Sequence, residues 1–193
     1  MVERVPASLL SALTDLVKWL DSIAGSSMVI GGVAASFLGR PRLTQDIDAL
    51  VILAEDQWSS AVESAKQFGI IPRIDAALEF ARRARVLLLR HVESGIDIDI
   101  ALGGLTFEHE AIKRSALHEV AGVRVRLPRV EDLIVMKAIS HRAKDLQDID
   151  GLLTAHPNVD LEFIRQWIRE FANASTMPDL LDDFDKLVER RSK

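Results

Sequence analysis

A chain of 193 residues that is 48% hydrophobic and 27% charged is long enough for one well-buried globular domain, or for a domain with a small helical appendage. The absence of cysteine excludes disulfide staples, thiolate nucleophiles and Cys-based zinc sites and fits a reducing compartment, while the net charge of −5 argues against broad nonspecific nucleic-acid binding. That charge is uneven: residues 145–193 carry six Lys/Arg against eleven Asp/Glu, whereas 40–144 carry sixteen basic against fifteen acidic groups, leaving Arg40, Arg42, Arg73, Arg82, Arg83, Arg85 and Arg90 available as a patch for a phosphate-rich ligand.

Helical spacing of Leu9, Leu10, Leu13, Leu16, Val17 and Leu20 predicts an amphipathic helix over 8–23, capped by Ser8 and ended near Gly25. A β segment follows at Met28–Ile30, and Gly31-Gly32 turns into a short helix through Phe37. Asp46–Ile52 reads as a buried strand and 56–68 as helix, with Glu55-Asp56 where a helix dipole favours anions. Ala76–Arg85 looks helical, Val86–Val92 and Ile96–Leu102 are strands, Glu108–Ala116 is a short helix, and Val123–Leu127 is a final strand. Pro128 then introduces one long helix over about 130–154, with further helices over about 160–172 and 178–191 after Pro157 and Pro178. No segment opens the chain as a basic stretch followed by an apolar run, and none reaches the roughly 20 apolar residues of a membrane helix. The expectation is a soluble cytoplasmic protein with no membrane partner.

The order of elements predicts an α/β (α+β) fold: a small mixed sheet with flanking helices over 1–128, and a C-terminal helical region over 129–193 that completes a cleft. Two strands carry the chemistry. Asp46 and Asp48 are two apart in a strand and project to one side; paired carboxylates repel unless a cation lies between them, and hard ions such as Mg²⁺ prefer oxygen ligands. Gly31-Gly32 lets backbone approach a triphosphate, with N–H groups of the following helix directed at its charge. Asp97 and Asp99 share one side of a second strand. If that strand lies beside the first, one of them, with Asp99 preferred, completes a three-carboxylate cluster for two metal ions, the arrangement that clamps attacking and leaving oxygens in nucleotidyl transfer.

Taken together, Gly31-Gly32, Arg42-x-Thr44-x-Asp46-x-Asp48 and the later carboxylate strand resemble the nucleotidyltransferase superfamily typified by polymerase β. The segment Lys137…Arg142-x-Lys144-Asp145-x-x-Asp148 is similar to the signature of AbiEii/AbiGii-type toxin nucleotidyltransferases. The resemblance covers about residues 28–155. It implies that Asp46, Asp48 and Asp99 hold Mg²⁺ or Mn²⁺, and that Asp99 also activates the attacking group. Gly31, Gly32, Thr44 and Lys144 would contact a nucleoside triphosphate, and Lys137 and Asp148 would be further active-site residues. The leading reading is a toxin-like enzyme acting on a macromolecular acceptor such as tRNA and held in check by a partner antitoxin. Small-molecule nucleotidylation of the aminoglycoside type and a catalytically silent binding module are the alternatives.

The later helix has an independent reading. At about 100° per residue, Val135, Ile139, Leu146, Ile149 and Leu153 fall on one side and Lys137, His141, Lys144 and Asp148 on the other. Arg142 falls among the apolar residues, where a guanidinium needs a carboxylate partner or a route to water, and is read as structural. Glu108-His109-Glu110 lacks the three- or four-residue spacing of a helical metal pair. Asp182-Asp183-Phe184-Asp185 reads as a solvated acidic face.

Overall fold

The computed structural model describes residues 6–175 and 177–191. It divides into two compact units, one containing residues up to Ala34 together with Leu43–Pro128, the other Ala35–Arg42 together with the residues from Arg129 on.

The first unit opens with α1 (Ala7–Ser22), whose Leu9, Leu13, Leu16 and Leu20 are buried. Pro6 precedes this helix and no side chain caps it, so Ser8 sits inside the first turn and the expected cap is not formed. Strand β1 (Ser26–Ile30) leads into α2 (Gly31–Leu38), whose first turn belongs to this unit, and then come β2 (Asp46–Ile52), α3 (Trp58–Ala65), β3 (Ile70–Pro72), α4 (Ala77–Ala84), β4 (Val86–His91) and β5 (Asp97–Leu102). The five strands form one mixed sheet in the order β1-β2-β5-β4-β3, with β2 parallel to β5 and every other neighbour antiparallel. Burial alternates along β5, where Ile98, Ile100 and Leu102 are buried between half-buried Asp97, Asp99 and Ala101, so one face of the strand joins the core and the other keeps its acids accessible. Trp19 anchors α1 by donating Nε1–H to the Ala61 carbonyl at 3.1 Å.

Helix α5 (Thr106–Arg114) and a hairpin of β6 (Ala116–Val120) and β7 (Val123–Leu127) complete the unit. The hairpin turn has Ala121 and Gly122 at φ 48° and 88°, the positive values that a tight two-residue connection needs. Two of these strands escape the periodicity reading. Ile70–Pro72 is too short to show alternation, and Ala116–Val120 is shaped by pairing with β7 where the chain looks like a helix ending.

In the second unit the predicted long helix is two: α6 (Val130–Ser140) and α7 (Ala143–Ala155), followed by α8 (Leu161–Ser175) and α9 (Asp179–Arg191). The break falls at His141, which closes α6 in the left-handed region at φ 50°, and at Arg142, which is extended at ψ 153°. A residue with a Cβ rarely takes that conformation unless its surroundings enforce it. Here the His141 ring nitrogen Nε2 meets Asp183 Oδ2 of α9 at 3.0 Å.

Candidate active site

The four acids of the two central strands form one row. Because β2 and β5 are parallel and in register, Asp46 pairs with Asp97 and Asp48 with Asp99 across the sheet, and all four project from the same face. The preceding strand delivers Gly31 to this row: Ile30 pairs with Asp48, and a Cβ on Gly31 would lie 1.8 Å from Asp48 Oδ2, with φ at +62°. Only glycine tolerates both the contact and the backbone angle. The backbone of Gly31-Gly32 that opens α2 therefore rests against the Asp48 carboxylate. Thr44 serves the same row, since its hydroxyl donates to Asp46 Oδ1 at 2.8 Å. The hydroxyl expected to touch nucleotide thus also orients an acid of the row.

Cations enter the row from one side. Arg73, just after β3, places Nη1 3.1 Å from Asp97 Oδ2 and Nη2 2.9 Å from Asp99 Oδ1. Arg90 of β4 places Nε 2.7 Å from Asp97 Oδ1. The two β5 acids consequently differ. The Arg90 hydrogen bond holds the Asp97 carboxyl below the usual carboxylate range against a burial effect that would raise it, with Arg73 adding to the fall. Burial pushes Asp99 above that range, Arg73 opposes the rise, and the charges of Asp48, Asp46 and Asp97 add to it. Although Asp99 Oδ1 lies at ion-pair distance from Arg73, it is a buried oxygen that accepts no hydrogen bond; the approach supplies charge without alignment.

These features bear on whether a divalent ion fits. Among the described residues no three His, Cys, Asp or Glu side chains are gathered as a finished cage, and the Arg73 guanidinium supplies positive charge at Asp97 and Asp99. The donor set nonetheless suits Mg²⁺ or Mn²⁺: the carboxylates are hard oxygen ligands, and Asp99 Oδ1 is a buried acceptor with unused capacity. The donor chemistry is compatible with the ion, and Asp97, with two arginine partners, has less spare capacity for it than Asp99.

Lys137, Asp145 and Asp148 belong to a buried ion network within the second unit. Lys137 Nζ lies 2.9 Å from Asp145 Oδ1 and 2.8 Å from Asp148 Oδ2. Arg42 grips Asp148 with two bonds of 2.7 and 2.9 Å, a fork-on-carboxylate geometry, and Arg142 Nε meets Asp145 Oδ2 at 2.6 Å. Burial would raise both acids, but the hydrogen bonds from Arg142 and Lys137 hold Asp145 below the usual range, and those from Arg42 and Lys137 do the same for Asp148. The expected single polar stripe of Lys137, His141, Lys144 and Asp148 is not formed, because the helix breaks at His141: Lys137 and Asp148 are buried and Lys144 is exposed. Arg142 has the expected carboxylate partner but an open side chain, 57% exposed, at the start of α7.

Other sequence features resolve into structure. Glu108 accepts the N–H groups of Gly104 and Leu105 at 2.7 and 2.8 Å, so it secures the start of α5. The expected arginine patch is largely taken up by local bonds: Arg85 donates to the Leu102 and Gly103 carbonyls and lies over the Trp58 ring, and Arg82 pairs with Glu55. Sequence reasoning passed over Arg73 as an individual residue; the local signal was only a lone arginine after an Ile-Ile-Pro run, and its partner acids lie more than twenty residues further along the chain.

A family described as nucleotidyltransferase of unknown function (DUF6036) matches residues 8–188. No curated protein matches the chain by sequence. Among solved structures it is similar to the antibiotic-resistance factor ANT(2'')-Ia, at 14% identity and TM-score 0.61 over 88% of this chain and 94% of that one. It is also similar to an antigenic nucleotidyltransferase-like protein from Paracoccidioides brasiliensis, at 13% and 0.54 over 94% of each. The lincosamide antibiotic adenylyltransferase LnuA, solved with lincomycin bound, aligns at 15% and 0.50 over 79% of this chain and 99% of that one. At these identities the likeness is one of fold.

Proposed function

We propose, from the premise that the chain belongs to this nucleotidyltransferase family and is an enzyme of that class, that it is metal-dependent and transfers a nucleotide from a nucleoside triphosphate to a hydroxyl acceptor through the carboxylate row. The observation that carries this reading is the pairing of Asp48 with Asp99 on adjacent parallel strands, with the glycine-opened start of α2 against Asp48. Asp46 and Asp48, with Asp99, would hold Mg²⁺ or Mn²⁺, which when bound supplies Lewis acidity and neutralises phosphate charge. Asp99, raised by burial, accepts the proton of the attacking hydroxyl. That oxygen forms the new bond to the α-phosphorus as the bond to pyrophosphate breaks. The Gly31-Gly32 backbone lies beside the triphosphate, and Thr44 keeps Asp46 aimed. Lys137 and Asp148 are read as the buried fastener of the second unit.

The AbiEii/AbiGii-like motif supports a toxin-like role with a macromolecular acceptor such as tRNA, restrained by an antitoxin. A small-molecule acceptor is the second reading, supported by the near-complete coverage of the ANT(2'')-Ia and LnuA chains by this one. Incubation with each α-labelled triphosphate, Mg²⁺, and either total RNA or a panel of aminoglycosides and lincosamides separates the two. Transfer to neither, or transfer that persists in Asp48→Asn, sinks the assignment of the site.

A further inference from the structure

Arg73 has no part in the transfer just described, yet it occupies the row of acids more fully than any other cation. Its position is fixed from the main chain, where the Arg73 N–H donates to the Leu88 carbonyl at 3.0 Å. Leu88 is the β4 residue paired with Asp99. From there the side chain, 20% exposed, spans both β5 acids.

We propose that Arg73 is an exchangeable counter-cation: its guanidinium neutralises Asp99 in the metal-free enzyme and yields that carboxylate to the divalent ion as the site loads. This rests on the metal-site reading above, and the asymmetry of the two acids is its basis. Asp97 has a second partner in Arg90 at 2.7 Å, so it stays neutralised if Arg73 shifts. Among the described residues Arg73 is the one cation within ion-pair distance of Asp99, and it holds Oδ1 by charge alone, with no hydrogen bond made. A guanidinium bond that lacks alignment forgoes the directional part of its strength, so this contact yields more readily than the aligned Arg90 bond to Asp97.

Four like-charged groups in one row would repel strongly with no cation present. Arg73 relieves that repulsion without closing the site, because a divalent ion brings twice its charge to the same oxygens. Loading is therefore an exchange. The guanidinium lowers the apparent affinity for free metal ion, and its removal should raise it.

The test is Mn²⁺ binding to the full chain without nucleotide, followed by loss of the free-ion electron paramagnetic resonance signal. Wild type is compared with Arg73→Ala, Arg73→Gln and Asp99→Asn; the Gln variant keeps bulk and hydrogen-bonding capacity if Ala disturbs the fold. Both Arg73 variants should bind Mn²⁺ on the order of tenfold more tightly, the scale of one unit charge removed from about 4 Å away where water screens the site. Thermal midpoints separate this role from a merely structural one: either role predicts that the variants melt below wild type without metal, but only the exchange predicts that the gap closes at saturating Mn²⁺. Unchanged or weaker binding in both Arg73 variants, with wild-type binding abolished by Asp99→Asn, overturns the exchange and leaves the metal site standing. Wild-type binding that survives Asp99→Asn, or no binding by any variant, overturns the metal-site reading and the exchange with it.

Discussion

Replacing Lys137 distinguishes a catalytic cation from a structural one. The side chain is 5% exposed and sits between two carboxylates that are 0% and 5% exposed. In Lys137→Ala each acid keeps one arginine, Arg142 for Asp145 and Arg42 for Asp148, but the charge that bridges them is gone. Breaking a buried ion pair from one side costs about 3–5 kcal/mol. The surviving arginines favour the lower end, about 3 kcal/mol, and for a chain of this size each kcal/mol moves the midpoint by about 2–4 °C. The expected result is a fall in Tm of roughly 10 °C. Lys137→Met, which keeps most of the volume, should retain most of that loss and so separate charge from cavity. Arg142→Ala should cost about 1 kcal/mol or less, because its side chain is 57% exposed and Asp145 retains Lys137. Differential scanning fluorimetry and transfer rates, measured well below the lowered midpoint, are the assays. A Lys137→Ala melt within about 1 °C of wild type, with transfer reduced on the order of 100-fold as for a lost transition-state contact, would refute the network reading and restore Lys137 to the active site.

Other perturbations probe the carboxylate row and the network. Asp48→Asn should abolish metal-dependent transfer while leaving the circular dichroism spectrum intact, and relief of repulsion with Asp99 should hold the metal-free Tm at or above wild type. Gly31→Ala forces a Cβ to within 1.8 Å of Asp48 Oδ2 at φ +62°; it should displace that carboxylate, cost about 1–3 kcal/mol of backbone strain and lower transfer, which a melt and a labelled-triphosphate assay will record. Thr44→Val, which removes the 2.8 Å bond to Asp46 Oδ1, should reduce transfer on the order of tenfold with little change in melting. The folded-state pKa values of Asp145 and Asp148 are shifted down. Their stabilisation is therefore present above the unfolded carboxylate range and is lost as pH falls through the lower folded values. Urea midpoints between pH 7 and pH 3 should fall, and should fall less in Lys137→Ala, where one source of that shift is missing.

Much of the carboxylate row at the candidate site was legible in the sequence. Alternation at Asp46-Ile47-Asp48 and Asp97-Ile98-Asp99 compels each pair of acids to share a side, because strand geometry sends successive side chains to opposite faces. A glycine pair directly before a short apolar helix likewise marks a close backbone approach, and Gly31 makes one against Asp48. These are local rules, and local rules can be read from a string of residues. The mixed α/β fold follows from the same periodicities.

Tertiary structure decided what depends on distant partners. The register that sets Asp48 beside Asp99 joins residues fifty-one positions apart, and no spacing within either strand encodes it. Arg73 reaches Asp99 only because β3 and β4 lie on the far side of β5, which turns an unremarkable arginine into the charge partner of the row. The later helix shows the limit most clearly. A 3.6-residue pattern runs through 130–154 because both pieces bury an apolar face, and nothing in that pattern records the left-handed turn at His141. That turn, bonded to Asp183 of α9, takes Lys137 off the expected polar stripe and buries it between Asp145 and Asp148. Periodicity reports which side of an element avoids water; it carries no information about where the element bends or which opposite charge meets it inside.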